Sequence, residues 1–346
     1  MNNSLAVASL PPSVSRMSIL TPPTDIIEAE VIEIDQPIQK RCPFITANSE
    51  EISKETLAQD LVPVFSRSND TAISTLEFVS TCEDTMRDFY RGETVDPAII
   101  RGSHIIKGRT NDALNIPTAL LREDQRTHYY ERVIFAVEVP TIYEDINGNR
   151  CVLSLVGFKN YGADNLRGNL STQHFDVAVS LTNTVCSNGC IFSENKISIL
   201  ATTPAEIYQS VMQLLSNYDL ARHVNALRTL HNSWLTKEQF IYLLGAVRYY
   251  SYLSLAEKRN ILPNPILLTE TMMNECCRQY ILDENFSGSE AGIDMWKFYN
   301  LLTGSNKNSY LHSYLDRATN ISQFSFEIAN ALSGDTSSPY NWFINQ

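Results

Sequence analysis

Apolar and polar residues alternate over residues 175–182, where the apolar positions are Phe175, Val177, Val179 and Leu181. A period of two is typical of a β-strand with one buried face. Upstream, an Asn147-Gly148 dipeptide separates two runs rich in β-branched residues. Both central residues of a type I′ turn need positive φ, so this dipeptide predicts a β-hairpin. We therefore expect residues 150–200 to form the centre of a sheet.

Two details of this region are also predicted. Pro140 cannot donate to a strand ladder, so it is expected at a bulge or at a sheet edge. A second tight turn is expected at Asn188-Gly189.

The pattern becomes helical after residue 202. Thr203-Pro204-Ala205-Glu206 combines a capping-box pair with proline at the first helical position, and apolar residues follow at helical spacing. Residues 236–239 repeat the capping pattern. Further helices are predicted at residues 270–282, 291–302, 306–317 and 321–332.

The segments before residue 100 are less regular. Prolines and an acidic stretch at residues 28–35 predict a flexible N-terminal arm, and the alternative is a strand that adds to a sheet edge. Val62, Val64 and Phe65 predict a short strand, whereas residues 73–90 mix the strand and helix periods.

The order of segments predicts an α+β protein, with a β-rich N-terminal half of antiparallel hairpins followed by an all-helical C-terminal half. The expected divisions are a Pro- and acid-rich arm (1–50), a β-rich region (51–202), a helical region (203–335) and a tail (336–346).

Composition indicates the compartment in which the protein is expected and whether it contacts a membrane. The chain has 346 residues, 43% of them hydrophobic, and a net charge of -12. Its seven scattered cysteines are an odd number, which favours reduced thiols in the cytoplasm. No apolar run reaches the ~18 residues that a membrane helix needs, so no membrane partner is expected.

One segment is cationic within this anionic chain. Residues 101–132 contain six Lys/Arg and four Asp/Glu, with aromatic residues among them. Cations interleaved with aromatic rings are used to hold phosphates and stack bases. The candidate residues for binding nucleic acid or another anion are Arg101, His104, Lys107, Arg109, Arg126, Tyr129, Tyr130 and Arg132.

Two alternatives accompany this hypothesis. Residues 102–109 resemble a phosphate-cradling loop but lack the Gly-Lys-Ser/Thr of a P-loop, and a surface turn with locally paired cations is the other interpretation. Tyr129, Tyr130 and Arg132 equally describe a strand entry at which the arginine stem covers apolar surface.

Cysteine chemistry offers a second candidate site. Cys186 and Cys190, with Cys151 and His174 nearby in sequence, could bind zinc, but one Cys-x3-Cys spacing also suits cysteines that simply pack in strands. No nucleophile motif is present. We therefore expect no cofactor and no metal, and the sequence leans against an enzyme.

Several segments together resemble a known family. These are residues 103–109, 129–140, 183–190, 296–307 and 314–317. They resemble domain of unknown function 3871, an uncharacterised family of mobile and conjugative elements of Bacteroidota, over about residues 55–332. A looser similarity extends to a phage- and plasmid-borne family that shares Cys-x-Asn-Gly and Asn-x-x-Thr. The resemblance carries no reaction and no catalytic residue.

The leading hypothesis is a non-enzymatic accessory protein of a mobile element, which binds nucleic acid or a replication or transfer protein through residues 101–132. The alternative is a protein-interaction factor that binds host proteins in defence or counter-defence. An enzyme of unrecognised type ranks third.

Overall fold

The structure is a computed structural model, and it describes residues 43–60, 73–166 and 172–345. The strand predicted at Val62, Val64 and Phe65 lies outside these residues, as does most of the predicted N-terminal arm.

A seven-stranded antiparallel sheet forms the centre of the molecule. Its order is β1-β2-β5-β6-β7, and both β8 and β9 pair with the far edge of β7. Two-stranded pairs are formed by β3 with β4 and by β10 with β11. The strands are β1 (Glu50–Glu51), β2 (Ile99–Gly102), β3 (Ile105–Arg109), β4 (Arg126–Tyr130), β5 (Arg132–Ile146), β6 (Asn149–Asn160), β7 (Gln173–Asn183), β8 (Gly189–Cys190), β9 (Lys196–Ala201), β10 (Trp234–Thr236) and β11 (Gly292–Asp294).

Ten α-helices surround the sheet within the described residues. They are α1 (Lys54–Leu57), α2 (Thr75–Phe89), α3 (Tyr161–Leu166), α4 (Pro204–Asn217), α5 (Leu220–Thr229), α6 (Lys237–Tyr252), α7 (Leu255–Ile261), α8 (Glu270–Leu282), α9 (Met295–Asn306) and α10 (Leu311–Leu332).

The predicted hairpin is the longest pairing in the sheet. Asn147 and Gly148 connect β5 to β6 with φ of 49° and 84°, as a type I′ turn requires. Pro140 lies where the ladder shifts register between Val139 and Tyr143, so its predicted place at an irregularity is confirmed.

One face of the sheet packs against α2 and α4. Phe78 of α2 contacts the rings of Phe135 and Phe175, with centroids 5.0 and 4.7 Å away. Phe135 in turn lies over Gly157 on the neighbouring strand, where a Cβ would be only 2.2 Å from the ring. Aromatic packing of this kind fixes which strand residues face the helices.

The opposite face packs against the C-terminal helices. Leu311, Tyr314 and Leu315 of α10 form a cluster with Ile134 and Ala136 of β5. Residues of β7 are buried on both sides as a result, so the half-buried strand expected at residues 175–182 is covered on both faces. An antiparallel sheet between two helical layers makes the fold α+β.

The predicted division into halves holds only in outline. All seven strands of the main sheet precede residue 202, but α2 lies within the β-rich half and β10–β11 lies within the helical half. Ser74 caps α2 through a capping box with Glu77, a local signal that the mixed periodicity concealed.

The helix predictions are confirmed at α4, α6 and α8, and the capping boxes at Thr203 and Thr236 form as expected. Two boundaries differ: α9 begins only after strand β11, and α10 is one helix where two were predicted. The turn expected at Asn188-Gly189 is wrong. The chain turns at residues 184–186, and Gly189 belongs to β8.

Residues near both ends of the described chain are buried. Phe44 and Ile45 are buried although they lie inside the predicted arm, and Tyr340 and Phe343 of the predicted tail pack in the core. Residues of the sheet and of the helical half share this core, for example Cys151 with Phe298. None of the described helices has the length and apolar character needed to cross a membrane.

Candidate nucleic-acid interface

The predicted cationic segment forms a two-stranded antiparallel ribbon, β3 with β4. It continues the pairing of β2 with β5 beyond a break, where the Ser103 amide donates to the Arg132 carbonyl at 2.9 Å. Five residue pairs give the ribbon a length of roughly 17 Å. No third described strand pairs with it.

Residues 102–109 form neither the phosphate-cradling loop nor the surface turn that were the two interpretations of this segment, because most of them lie in strands β2 and β3. Gly102 ends β2 and Gly108 lies within β3, and neither has positive φ. A Cβ at Gly102 would be 2.6 Å from the ring of Tyr130, and one at Gly108 would be 2.9 Å from Thr127 Oγ1. These glycines therefore permit close cross-strand packing.

The ribbon places its cations on one face. Lys107 is the cross-strand partner of His128, and Arg109 is the partner of Arg126. Residues two apart on a strand, and residues directly opposite, share a face. Lys107 and Arg126 are exposed and Arg109 is half-buried. Among the residues that the structure describes, no carboxylate forms an ion pair with Lys107, Arg109 or Arg126.

Two of these cations hold the tip of the ribbon, residues 110–125, which contains three 3₁₀ turns. The Arg109 guanidinium donates to the Ile116 carbonyl at 2.5 Å and to Thr118 Oγ1 at 3.0 Å. Arg126 donates to the Leu121 carbonyl at 3.3 Å. These acceptors are neutral, so the two guanidinium groups keep their net charge.

The tip also presents acidic and apolar side chains. Asp124 pairs with Arg122 at 2.9 Å, and the nearby Thr110 side chain holds the pKa of Asp112 below its usual value. Leu114 and Leu120 are large apolar residues that are 62% and 71% exposed. The tip is thus mixed in charge, whereas the ribbon face behind it is cationic.

One carboxyl group lies beside the cationic face. Burial raises the pKa of Asp60 to about 6, while the Tyr130 backbone amide and nearby His128 act in the opposite direction. At pH 7 this carboxyl is therefore mostly ionised, but it becomes protonated as pH falls through about 6.

The remaining predicted residues have other surroundings. Arg101 donates to the Ser49 hydroxyl and carbonyl, whereas His104 and Arg132 both lie beside Glu131. Tyr129 and Tyr130 are only 6% and 3% exposed, so neither ring presents a face for base stacking. Tyr129 packs edge-on against Tyr161. Their burial fits the alternative interpretation of a strand entry.

The candidate zinc ligands do not form a metal site. No group of three or more His, Cys, Asp or Glu among the described residues has a suitable arrangement. His174 lies seven residues along β7 from Leu181, the partner of Cys190, which is roughly 23 Å. Burial raises the pKa of Cys186 to about 11, against the opposing effect of the Lys307 ammonium, and that of Cys151 to about 12.

The segment around these cysteines instead joins the sheet to α9 through buried asparagines. Asn183 Nδ2 donates to Asn300 Oδ1 at 3.3 Å, and Asn188 Nδ2 donates to the Asn300 carbonyl at 3.0 Å. The Lys307 ammonium donates to the Cys186 carbonyl. The sequence analysis missed this network, although the paired Asn-rich segments at residues 183–190 and 300–307 were the available signal.

Comparison with known proteins identifies the family. A family model described as "Domain of unknown function, B. Theta Gene description (DUF3871)" matches residues 26–344, and the chain belongs to that family. No curated protein and no solved structure matches it.

Proposed function

We propose that this member of the DUF3871 family is a non-enzymatic protein that binds nucleic acid through the cationic face of the β3–β4 ribbon. The observation that carries the proposal is the grouping of Lys107, Arg109 and Arg126 on one face without a carboxylate partner among the described residues. Phosphates would neutralise these charges and release their own counterions.

The shape of the element favours a duplex. An antiparallel two-stranded ribbon fits the major groove of B-DNA, which is about 12 Å wide. Lys107 and Arg109 are two residues apart, which separates them by about 7 Å along the strand. The rest of the chain is strongly anionic and repels phosphate, so contact would be confined to the ribbon.

The thiol environments support a non-enzymatic role. Burial raises the pKa of Cys82, Cys186, Cys190 and Cys276 above the usual value. Thiols in such surroundings are protonated at neutral pH and are poor nucleophiles. The family resemblance further favours an accessory role on a mobile or conjugative element, in the cytoplasm.

A second candidate is a protein partner at the tip of the ribbon. Leu114 and Leu120 are exposed on a segment that Arg109 and Arg126 hold in place. Exposed apolar side chains on an ordered segment are typical of protein contacts. The partner would be a replication or transfer protein of the same element, or a host protein.

Fluorescence anisotropy with a labelled oligonucleotide, as duplex and as single strand, tests the nucleic-acid proposal. Lys107→Gln should weaken duplex binding at low salt by roughly threefold to tenfold. Arg259→Gln is the matched control, because Arg259 is also exposed but lies on α7. Equal losses for the two variants, or no binding by the wild-type protein, would contradict the proposal.

The protein-partner candidate predicts a different result. A Leu114→Ser, Leu120→Ser double variant should keep its affinity for DNA but lose a partner that co-purifies with the wild-type protein from its native host. If the wild-type protein and the double variant co-purify with the same proteins, the tip of the ribbon is not a protein-binding site.

A further inference from the structure

Within the part of the chain that the structure describes, strand β9 has one unpaired edge. It pairs with β7 from Lys196 to Ala201, and no other strand among the described residues pairs with its second edge. In an antiparallel strand, alternate residues direct their N–H and C=O groups away from the partner strand. Backbone groups of β9 therefore face outward as a template for another strand.

A groove lies between this edge and helix α4. Its volume is about 380 Å³, and its walls include Ile197, Ser198, Ile199 and Leu200 of β9. Successive strand residues point to opposite faces of the sheet. Since four consecutive residues line the groove, it opens along the edge of the strand and not on one face. Residues 210–218 of α4 and its C-terminal cap form the other wall.

We propose that this groove binds an extended peptide segment of a partner protein, which adds to the sheet as a strand beside β9. Only an extended polypeptide repeats backbone donors and acceptors at the spacing of a strand edge. The site is separate from the ribbon, and the proposal is independent of nucleic-acid binding.

The described residues of this edge lack the usual protection against pairing. Proteins commonly block such edges with proline, a bulge or a charged side chain. Residues 197–200 contain neither proline nor a charge, and the β7–β9 ladder has no register shift. Lys196 forms an ion pair with Asp316 of α10, so its charge is directed to the opposite face of the sheet. Leu200 is 58% exposed at this edge.

The lining specifies the chemistry of the peptide. Ile199 and Leu214 are buried apolar residues, and Ser210, Gln213 and Asn217 are polar and uncharged. Apolar residues at alternate positions of the peptide would face the apolar part.

One charge remains in the lining, that of Glu194. Glu194 forms an ion pair with Arg222 at 3.4 Å, and both side chains are about half exposed or more, so this pair is weak and leaves the carboxylate accessible to a second cation. A partly exposed carboxylate at one end of the groove favours a lysine or arginine at that end of the peptide.

The test uses labelled hexapeptides of alternating valine and threonine with a terminal lysine, and the same peptide with a terminal glutamine. Anisotropy should show that the wild-type protein binds the lysine peptide more tightly than the glutamine peptide. The Glu194→Gln variant should bind the two peptides with equal affinity. Ser210→Trp fills the groove and should weaken binding about tenfold or more. Gln209→Trp is the control, because Gln209 is exposed on the same helix but does not line the groove.

Hydrogen bonding between the peptide backbone and β9 can be tested separately. N-methylation of the peptide amides that face β9 should abolish binding, whereas methylation of the alternate amides should not. Thermal unfolding of Ser210→Trp and Gln209→Trp reports whether both variants fold. Absence of binding, equal affinity of the two tryptophan variants, or equal effects of the two methylation patterns would overturn the proposal. A dimer in sedimentation that Ser210→Trp dissolves would also overturn it, by assigning the groove to a second copy of the chain.

Discussion

Arg109 and Arg126 lie directly opposite each other on the two strands of the β3–β4 ribbon. Like charges at cross-strand positions are destabilising. Each guanidinium donates to a carbonyl of the tip, which offsets part of this cost and orders the tip. The pair thus has a structural role that the sequence did not reveal, and it still leaves a concentrated positive charge.

This arrangement predicts a local effect of Arg109→Ala. Loss of the hydrogen bonds to Ile116 and Thr118 should speed amide hydrogen exchange across residues 110–125 while the melting temperature changes little. Arg122→Ala is the control, because Arg122 pairs with neighbouring Asp124 and does not hold the tip. Unchanged exchange in Arg109→Ala would contradict the structural role.

Asp60 predicts a dependence of stability on pH. Its pKa is raised from 3.8 to about 6 in the folded protein, so the folded state binds this proton more tightly than the unfolded state does. The contribution of this group to stability is therefore full below pH 3.8 and is lost as pH rises through about 6.

Asp60→Asn removes the charge and keeps the shape of the protonated side chain. It should stabilise the fold at about pH 8 by about 1 kcal/mol. This is less than the free energy that corresponds to the full pKa shift, because the group is partly exposed to solvent. Near pH 4 the variant and the wild type should be equally stable. Urea unfolding at both pH values measures this, and a variant less stable at pH 8 would exclude the assigned pKa.

The packing of Phe135 over Gly157 predicts opposite effects for two glycine substitutions. Gly157→Ala would place a methyl 2.2 Å from a ring that is itself packed against Phe78, and should destabilise by about 1–3 kcal/mol. Gly245→Ala on α6 meets no atom within 4 Å and should stabilise by about 0.5–1 kcal/mol. Chemical unfolding distinguishes them, and equal effects would refute the packing argument.

Replacing Asn300 tests how much the buried asparagine network contributes to stability. Asn300→Ala removes the acceptor of Asn183 and the hydrogen bond to the Trp296 carbonyl, leaving a buried donor unpaired. The expected cost is about 2–3 kcal/mol in urea unfolding. Asn274→Ala, at an exposed position of α8, should change stability by less than ~0.5 kcal/mol. A cost for Asn300→Ala no larger than the control's would show that the network contributes little.

The sequence was informative wherever the determinant is local. The Asn147-Gly148 turn and the capping boxes at Thr203 and Thr236 depend on a few adjacent residues, and all three were predicted correctly. The strand β3 was missed because Gly102 and Gly108 have the composition of a loop, and their reason for being glycine is a side chain on another strand.

Long-range contacts limit how much of the candidate site can be predicted from the sequence. Asn183 and Asn300 are 117 residues apart in sequence, so their hydrogen bond has no local signal. Tyr129 and Tyr130 illustrate the same limit, because their aromatic character suggested base stacking and only the packing of other segments buries them. The sequence shows the cationic segment. It does not show that this segment divides into a cationic ribbon face and a tip that Arg109 and Arg126 hold in place.

The salt dependence of DNA binding tests the central proposal most directly. In a plot of the logarithm of the binding constant against the logarithm of salt concentration, each neutralised phosphate contributes about -0.9 to the slope. We expect a wild-type slope of roughly -3 for three cations, and a slope shallower by about 1 for Lys107→Gln, with Arg259→Gln unchanged. A slope near zero, or the same slope for the wild type and Lys107→Gln, would contradict binding through the ribbon.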